Sequence, residues 1–126
     1  MDLLDQASAW LDGQRKTHLS RPVMYQRGAE SVEVQARVGR TVFEAADAYG
    51  VVERTESRDF LVLAADLVLG GQPVLPERGD RIRETDGAKV YVYEVMAPGK
   101  EPHWRWSDDY RRTLRIHTKH VATEAA

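Results

Sequence analysis

The sequence contains no cysteine and no asparagine among its 126 residues. Without cysteine there is no disulfide framework and no thiolate chemistry, and without asparagine there is no site for N-glycosylation. Long apolar runs are also missing, because the longest one, Phe60 to Ala65, is far below the ~20 residues that a membrane span needs. The first residues lack the basic and apolar segments of a signal peptide, so we expect synthesis in the cytoplasm.

Charge of both signs is plentiful but nearly balanced, with a formal net charge of −2. Such a balance does not give the strongly basic face that is typical of nucleic-acid binders. The distribution is uneven, because the part from Lys100 onward carries six Lys/Arg against four acidic residues and the part before it is net acidic. This asymmetry is suited to orienting subunits in a ring or docking a partner.

The N-terminal segment predicts a helix over residues 2–16. Leu3, Ala7, Trp10 and Leu11 recur with the period of one helix face. The apolar stripe is narrow and a helix of this length is marginal in water on its own. We therefore expect residues 1–19 to form an amphipathic helix and linker that docks on its own domain or on a neighbour.

After His18 the apolar period changes from 3.6 to 2, which indicates strands. The predicted strands are Pro22–Arg27, Ser31–Val38, Phe60–Leu63, Asp80–Glu84, Lys89–Met96 and Arg112–Thr118, with weaker strand patterns at Thr41–Glu44 and Val51–Thr55. Glycine-containing turns at residues 28–30 and at Asp86-Gly87 predict two hairpins. The fold class is therefore mainly β: a small barrel or sandwich of about six to seven antiparallel strands over residues 20–121, followed by a flexible tail at 122–126.

No catalytic, cofactor or metal motif is present, so we predict a protein that is not an enzyme. His103, His117 and His120 lie close in sequence but lack metal-ligand spacing, and we expect surface histidines. The adjacent pair Asp108-Asp109 is more typical of a turn cap than of acid–base catalysis. No serine lies in a nucleophile elbow, and no phosphate-binding glycine loop occurs.

Three short motifs have competing interpretations. Arg78-Gly79-Asp80 spells an adhesive tripeptide, but a turn capped by Asp80 explains it better. Tyr91 and Tyr93 share a strand face, which indicates either a core strand or a platform for stacking bases. Trp104-Arg105-Trp106 is typical of an interface hot spot and equally of a loop anchored to a core.

An ordered series of segments resembles the head–tail joining proteins, also called head-closure or stopper proteins, of bacteriophages and prophages. The series comprises Asp59-Phe60-Leu61-Val62, Asp66-Leu67, Pro76 to Ile82, Asp86-Gly87, Val90 to Val95, Trp104 to Asp108 and Leu114 to Thr118. In that family a Pro-x-x-Gly-Asp-x-Ile turn precedes a short hairpin that ends in a Tyr-x-Val strand. Here Pro76, Gly79 and Asp80 supply the turn, and the likeness spans roughly residues 21–121.

The resemblance implies a structural virion protein at the head–tail interface that forms a homo-oligomeric ring in the phage neck. Such a ring joins the portal and adaptor of the filled head to the tail, closes the head, and lies near packaged DNA without reading its sequence. Mobile loops that order on assembly are expected at residues 45–50, 53–59 and 97–109. The candidate interface residues are Trp104, Arg105, Trp106, Arg111, Arg112, Arg115, Arg54 and Arg58.

Two other functions stay open at this point. One is a small nucleic-acid-binding barrel that uses Tyr91, Tyr93 and the arginines near the C-terminus. The other is a different virion role, such as tail completion. The family provides no catalytic residue to transfer to this chain, and no cofactor or membrane partner is expected.

Overall fold

The structure is a computed structural model that describes residues 20–46 and 48–126. Within these residues it contains nine β-strands and one 3₁₀ turn at Ala64–Asp66. In chain order the strands are β1 (Arg21–Arg27), β2 (Glu30–Ala46), β3 (Val52–Leu63), β4 (Val68–Leu69), β5 (Gln72–Pro73), β6 (Arg81–Asp86), β7 (Lys89–Val95), β8 (Trp104–Trp106) and β9 (Thr113–Ala125). The mainly-β prediction is confirmed, whereas the helix predicted at residues 2–16 lies outside the described residues.

Six of the strands pair in a closed circuit, which is the topology of a barrel. β1 lies between β2 and β6, β3 follows β2, and β7 lies between β6 and β9. The circuit closes because the first half of β9 pairs with β3 while its second half pairs with β7. β8 pairs with the first half of β9 beyond the end of β7, and all these pairings are antiparallel.

The core fills the inside of the barrel with alternate residues from each strand. Its members from the six barrel strands are Val23, Tyr25, Val34, Ala36, Phe60, Val62, Ile82, Tyr93, Val95, Leu114 and Ile116. Successive side chains of a strand point to opposite faces, so each strand contributes every second residue to the interior. Leu67 and Leu69 join this core from the segment that follows the 3₁₀ turn.

The two predicted hairpins are confirmed by the strand register. Arg27 pairs with Glu30 across a two-residue turn, and Asp86 pairs with Lys89 across a turn that contains Gly87. Gly87 has a φ of 61°, a conformation that glycine adopts at no steric cost. Local turn chemistry therefore sets both connections and, with them, the pairing of β1 with β2 and of β6 with β7.

The predicted loop at residues 53–59 is wrong, because this segment lies inside β3. β2 and β3 pair without interruption from Ala36↔Val62 to Ala46↔Val52. The predicted loop at residues 45–50 is correspondingly shorter, since Ala45 and Ala46 belong to β2. The β3 half of this hairpin from Glu53 to Arg58 is polar on both faces, so no apolar alternation marks these residues as a strand.

The segment predicted as a flexible tail, residues 122–126, has regular secondary structure, because β9 continues to Ala125. Its last residues pair with β7 up to Lys89↔Ala125. The register of this pairing shifts between Val92 and Tyr93, so a bulge interrupts the alternation of inward and outward residues. None of the residues after Val121 is buried, so there is no apolar face to give the sequence a period of two there. The predicted excursion at residues 97–109 contains one short strand, β8.

Candidate assembly surface

The most prominent surface feature is the outer part of the β2–β3 hairpin, which we call the arm and define as residues 40–46 and 48–58. The arm begins where β2 and β3 leave the barrel body, and it carries the exposed apolar side chains Val42, Tyr49, Val51 and Val52. Tyr49 is 92% exposed. Clustered exposed apolar side chains on a projecting element are typical of a protein–protein contact.

A buried polar network holds the root of the arm. The carboxylate of Asp59, which is fully buried, accepts hydrogen bonds from Arg115 Nη1 at 2.6 Å, from Ser57 Oγ at 2.6 Å and from Thr41 Oγ1. His117 Nδ1 lies 2.8 Å from Asp59 Oδ1 and donates to it, because an ionised carboxylate only accepts. Burial by itself raises the pKa of Asp59, but these donors outweigh burial and hold the pKa well below its usual value.

Ser57, His117 and Asp59 are the three residue types of a nucleophilic triad, but their geometry differs from one. Ser57 Oγ and Asp59 Oδ1 both approach the same ring nitrogen of His117, at 3.4 and 2.8 Å. A triad needs the serine on one nitrogen and the carboxylate on the other. Ser57 is also buried, so this network is suited to fixing the arm rather than to attacking a substrate.

The prediction of surface histidines is wrong for His117, which is 1% exposed. The three C-terminal histidines do not converge: His103 Nε2 contacts the carbonyl oxygen of Pro76, His117 contacts Asp59, and His120 contacts Thr123. Within residues 20–46 and 48–126 there is no group of three or more metal-ligating side chains that could hold an ion.

A second buried carboxylate organises the Pro76–Asp80 turn. Asp80 accepts hydrogen bonds from the Tyr25 hydroxyl, from Arg27 Nε at 3.0 Å and from the backbone N–H of Glu77 at 3.0 Å. Burial raises the pKa of Asp80, yet the bonds from Arg27 and Tyr25 dominate and lower the pKa below its usual value. Burial, followed by the bond to Asp80, raises the pKa of the Tyr25 hydroxyl.

The turn interpretation of Arg78-Gly79-Asp80 is consistent with this geometry. Asp80 is only 4% exposed, and a buried carboxylate is not available to an adhesion receptor. Gly79 has a φ of 91°, which favours glycine, and its N–H donates to the carbonyl of Val95 at 2.9 Å. The turn motif therefore joins the start of β6 to the end of β7.

The mouth of the barrel, at the root of the arm, carries an ion-pair cluster. Arg58 Nη2 donates to both carboxylate oxygens of Glu84 at 2.6 Å, and Arg21 Nη1 reaches Glu84 Oε1 at 3.3 Å. The guanidinium of Arg58 also lies over the ring of Tyr93, 5.1 Å from its centroid. Glu84 is almost fully buried, so this cluster closes the interior of the barrel.

The candidate interface residues occupy separate places. Trp104 and Trp106 are half-buried on β8, pack against the core and meet edge to face with ring centroids 5.2 Å apart. Their packing favours the core-anchor interpretation. Arg105 is exposed on the opposite face of β8, and Arg111 and Arg112 are exposed on the turn before β9. Of the other arginines, Arg54 is exposed on the arm, whereas Arg58 and Arg115 form ion pairs within the chain.

Asp108 caps the turn before β9, as the sequence predicts. Its Oδ1 accepts hydrogen bonds from the backbone N–H groups of Arg112 and Thr113, both at 3.0 Å. This bonding leaves the carboxylate occupied by the backbone, which is consistent with the turn-cap interpretation of Asp108-Asp109.

The stacking-platform interpretation of Tyr91 and Tyr93 does not fit the structure. Tyr93 faces the barrel interior, is 7% exposed and contacts Phe60 edge to face at 5.3 Å. Tyr91 is half-buried against the same core. Val92 on the opposite face is fully buried, so β7 is covered on both sides as the core-strand interpretation predicts. Base stacking needs an open ring face, which Tyr93 does not offer.

A family model described as phage head-tail joining protein matches residues 1–125. The chain belongs to this family. The family is one of structural virion proteins of phages, so membership indicates a role in joining heads to tails. A search of curated proteins found no match. Within the described residues, no helix has the length and apolar character to cross a membrane.

Sequence reasoning missed the Asp59 network. Asp59 stands directly before the apolar run Phe60–Leu63, and a carboxylate at the edge of a buried strand needs partners. That position was the available signal. Its partners Arg115 and His117 lie more than 50 residues away in sequence, so only the β3–β9 pairing identifies them.

Proposed function

We propose that this protein forms a homo-oligomeric ring in the phage neck, where it joins the portal and adaptor of the filled head to the tail and closes the head. The observation that carries the proposal is the family match over residues 1–125. The structure is compatible with it, because the arm presents exposed apolar side chains that a neighbouring subunit could cover.

The distribution of charge supports a ring as well. The part of the chain from Lys100 onward has more basic than acidic residues, whereas the preceding part is net acidic. Opposite charges on different surfaces of one subunit favour a head-to-tail contact between identical copies, and such contacts generate rings when the rotation closes. A nearly neutral total charge is compatible with a ring that surrounds DNA without reading its sequence.

The decisive experiment removes the gene from the phage and examines the lysate by negative-stain microscopy. We expect DNA-filled heads and complete tails that are not joined, and restoration of virions when the wild-type gene is supplied in trans. Normal virions without the gene would contradict the proposal, and tails of abnormal structure would indicate tail completion instead. In a matched test, the purified protein should add an axial ring of density to portal–adaptor complexes.

A further inference from the structure

The arm is a two-stranded ribbon whose β2 side is unpaired in the described part of the chain. β1 pairs with β2 as far as Arg21↔Ala36, whereas β2 continues to Ala46. Beyond Ala36, β3 is the one described strand that pairs with β2. A two-stranded hairpin is marginally stable by itself in water, so the arm gains stability from a further strand along its edge. Unpaired edges of this kind are templates for pairing with another chain.

The strand register identifies the backbone groups that this edge presents. Arg27 and Glu30 close a two-residue hairpin and therefore form a hydrogen-bonded pair, and such pairs alternate along an antiparallel ladder. In β2 the even-numbered residues thus bond toward β1 and the odd-numbered residues toward β3. The same alternation holds on the far side of β3, where the N–H of Ala64 donates to the carbonyl of Arg112 at 2.8 Å.

The backbone groups of the even-numbered residues beyond Ala36 therefore point away from β3. They have no backbone partner among the described residues. These residues are Val38, Arg40, Val42, Glu44 and Ala46. Their side chains share one face of the arm, because alternate residues of a strand point to the same side.

The side chains along this edge are complementary to a second copy of themselves. Two identical edges pair antiparallel about a two-fold axis, and the outward backbone groups require even-numbered residues to lie opposite one another. A register centred on Arg40 or on Glu44 places like charges opposite each other, which is destabilising. Registers centred on Thr41 or on Phe43 place both charges opposite apolar residues. The register centred on Val42 places Arg40 of each copy opposite Glu44 of the other, so both pairs are attractive.

The other charges of the arm favour the same register. Arg40 lies opposite Arg58 on β3, and Glu44 lies opposite Arg54. In the paired state each Arg40 gains a carboxylate on its open side, which offsets the repulsion from Arg58, and each Glu44 lies between two arginines. Glu56 lies 3.6 Å from Arg40, but the two side chains are 54% and 74% exposed. A guanidinium has five N–H donors, so this surface contact leaves Arg40 able to bind a second carboxylate.

We propose that two copies of the protein pair through the β2 edges of their arms, with Val42 on the two-fold axis and Arg40 of each copy opposite Glu44 of the other. Hydrogen-bonded pairs at residues 40, 42 and 44 join the two arms into a four-stranded sheet. Val42, which is 38% exposed in the isolated subunit, is covered there by its counterpart. The pairing closes at two copies, so it goes beyond the proposed ring, whose neighbouring subunits meet through two different surfaces.

The absence of cysteine makes single-cysteine variants a direct test of this register. In the proposed pair the Cα atoms of the two Val42 residues lie about 5.5 Å apart, which a disulfide can span. We expect Val42→Cys to form a disulfide-linked dimer on mild oxidation. Glu44→Cys is the matched control on the same edge and face, because it lies about 14 Å from its counterpart and should stay monomeric. A mixture of Arg40→Cys with Glu44→Cys should give the mixed dimer.

Sedimentation equilibrium of the cysteine-free protein, at concentrations up to about 1 mM, measures the association without covalent trapping. Arg40→Glu and Glu44→Arg should each weaken self-association roughly ten-fold or more, because two attractive pairs become repulsive. An equimolar mixture of these two variants should associate as the wild type does, since both pairs are attractive again. Circular dichroism checks that each variant retains its β-structure.

A wild-type protein that stays monomeric over this range, or equal oxidation of Val42→Cys and Glu44→Cys to dimers, would overturn the proposal. So would a link of Val42→Cys to Glu56→Cys of another copy in place of a link to itself, because the β3 edge would then fill this place. An intramolecular link of Val42→Cys to Arg15→Cys, the position that continues the β1 register, would assign the edge to the chain's own N-terminal segment. None of these measurements uses a phage partner, so their failure is distinct from the failure of a ring to form on portal–adaptor complexes.

Discussion

Replacement of Asp80 by alanine should destabilise the fold more than any other single change in the Pro76–Asp80 turn. The substitution removes the acceptor for Tyr25, Arg27 and the Glu77 amide, and Asp80 is 4% exposed. Removing one member of a buried ion pair costs about 3–5 kcal/mol. Arg27 is 26% exposed and keeps a 2.7 Å bond to the carbonyl of Leu75, which places the loss toward the lower limit.

The Tyr25 hydroxyl adds to this loss, because Tyr25 is fully buried and loses its acceptor. An unsatisfied buried polar group costs about 1–3 kcal/mol. The two costs overlap, so we expect a total decrease of about 3–4 kcal/mol in the free energy of unfolding. For a domain of this size the decrease corresponds to a fall in melting temperature of roughly 10–15 °C.

Urea denaturation followed by tryptophan fluorescence measures this loss. Asp109→Ala is the control, because Asp109 is exposed and its replacement should change stability by less than about 0.5 kcal/mol. Tyr25→Phe should recover part of the stability in the Asp80→Ala background, since it removes the stranded hydroxyl. A loss below about 1 kcal/mol for Asp80→Ala, or additive effects of the two changes, would refute this account of the turn.

Three further predictions concern stability. Asp59 and Asp80 have folded pKa values below their usual value near 4. Their contribution to the free energy of unfolding is therefore complete above about pH 4 and is lost as the pH falls through the folded values. Urea midpoints should drop below pH 4, and Asp59→Asn should flatten that dependence. Phe60→Ala should cost about 3–5 kcal/mol in urea denaturation, because it leaves a cavity in the closed barrel. Gly79→Ala should cost about 1–3 kcal/mol by calorimetry because its φ of 91° strains any other residue, whereas Gly39→Ala, where φ is not positive, should change the melting temperature much less.

The inner strands and their hairpins are predictable from sequence because their determinants are local. Val32, Val34 and Ala36 alternate with polar residues, and the short turn after Arg27 brings β1 and β2 together. The closure of the barrel is not predictable in this way. It depends on β9 pairing with β3 at one end and with β7 at the other, and no periodicity within β9 specifies two partners.

In the candidate site, too, features set by local sequence are predictable, whereas features set by strand pairing are not. The cap of the turn by Asp80 is predictable, since glycine and aspartate at these positions favour it. The contact of Asp80 with Tyr25 and Arg27 is not, because β1 and this turn become neighbours only through the β1–β6 pairing. The burial of His117 likewise depends on residues from two other strands.

The structure of the arm changes how assembly is expected to proceed. Loops that order on docking lose conformational entropy of about 1–2 kcal/mol per residue, which reduces the affinity of the contact. Here the strands of the arm are already paired, and the Asp59 network fixes the arm at its root. In the proposed assembly, docking of the arm would therefore require little ordering of its strands. A substitution at the root, such as Arg115→Ala, should consequently weaken assembly without touching the partner, because it releases an element that the fold holds in place.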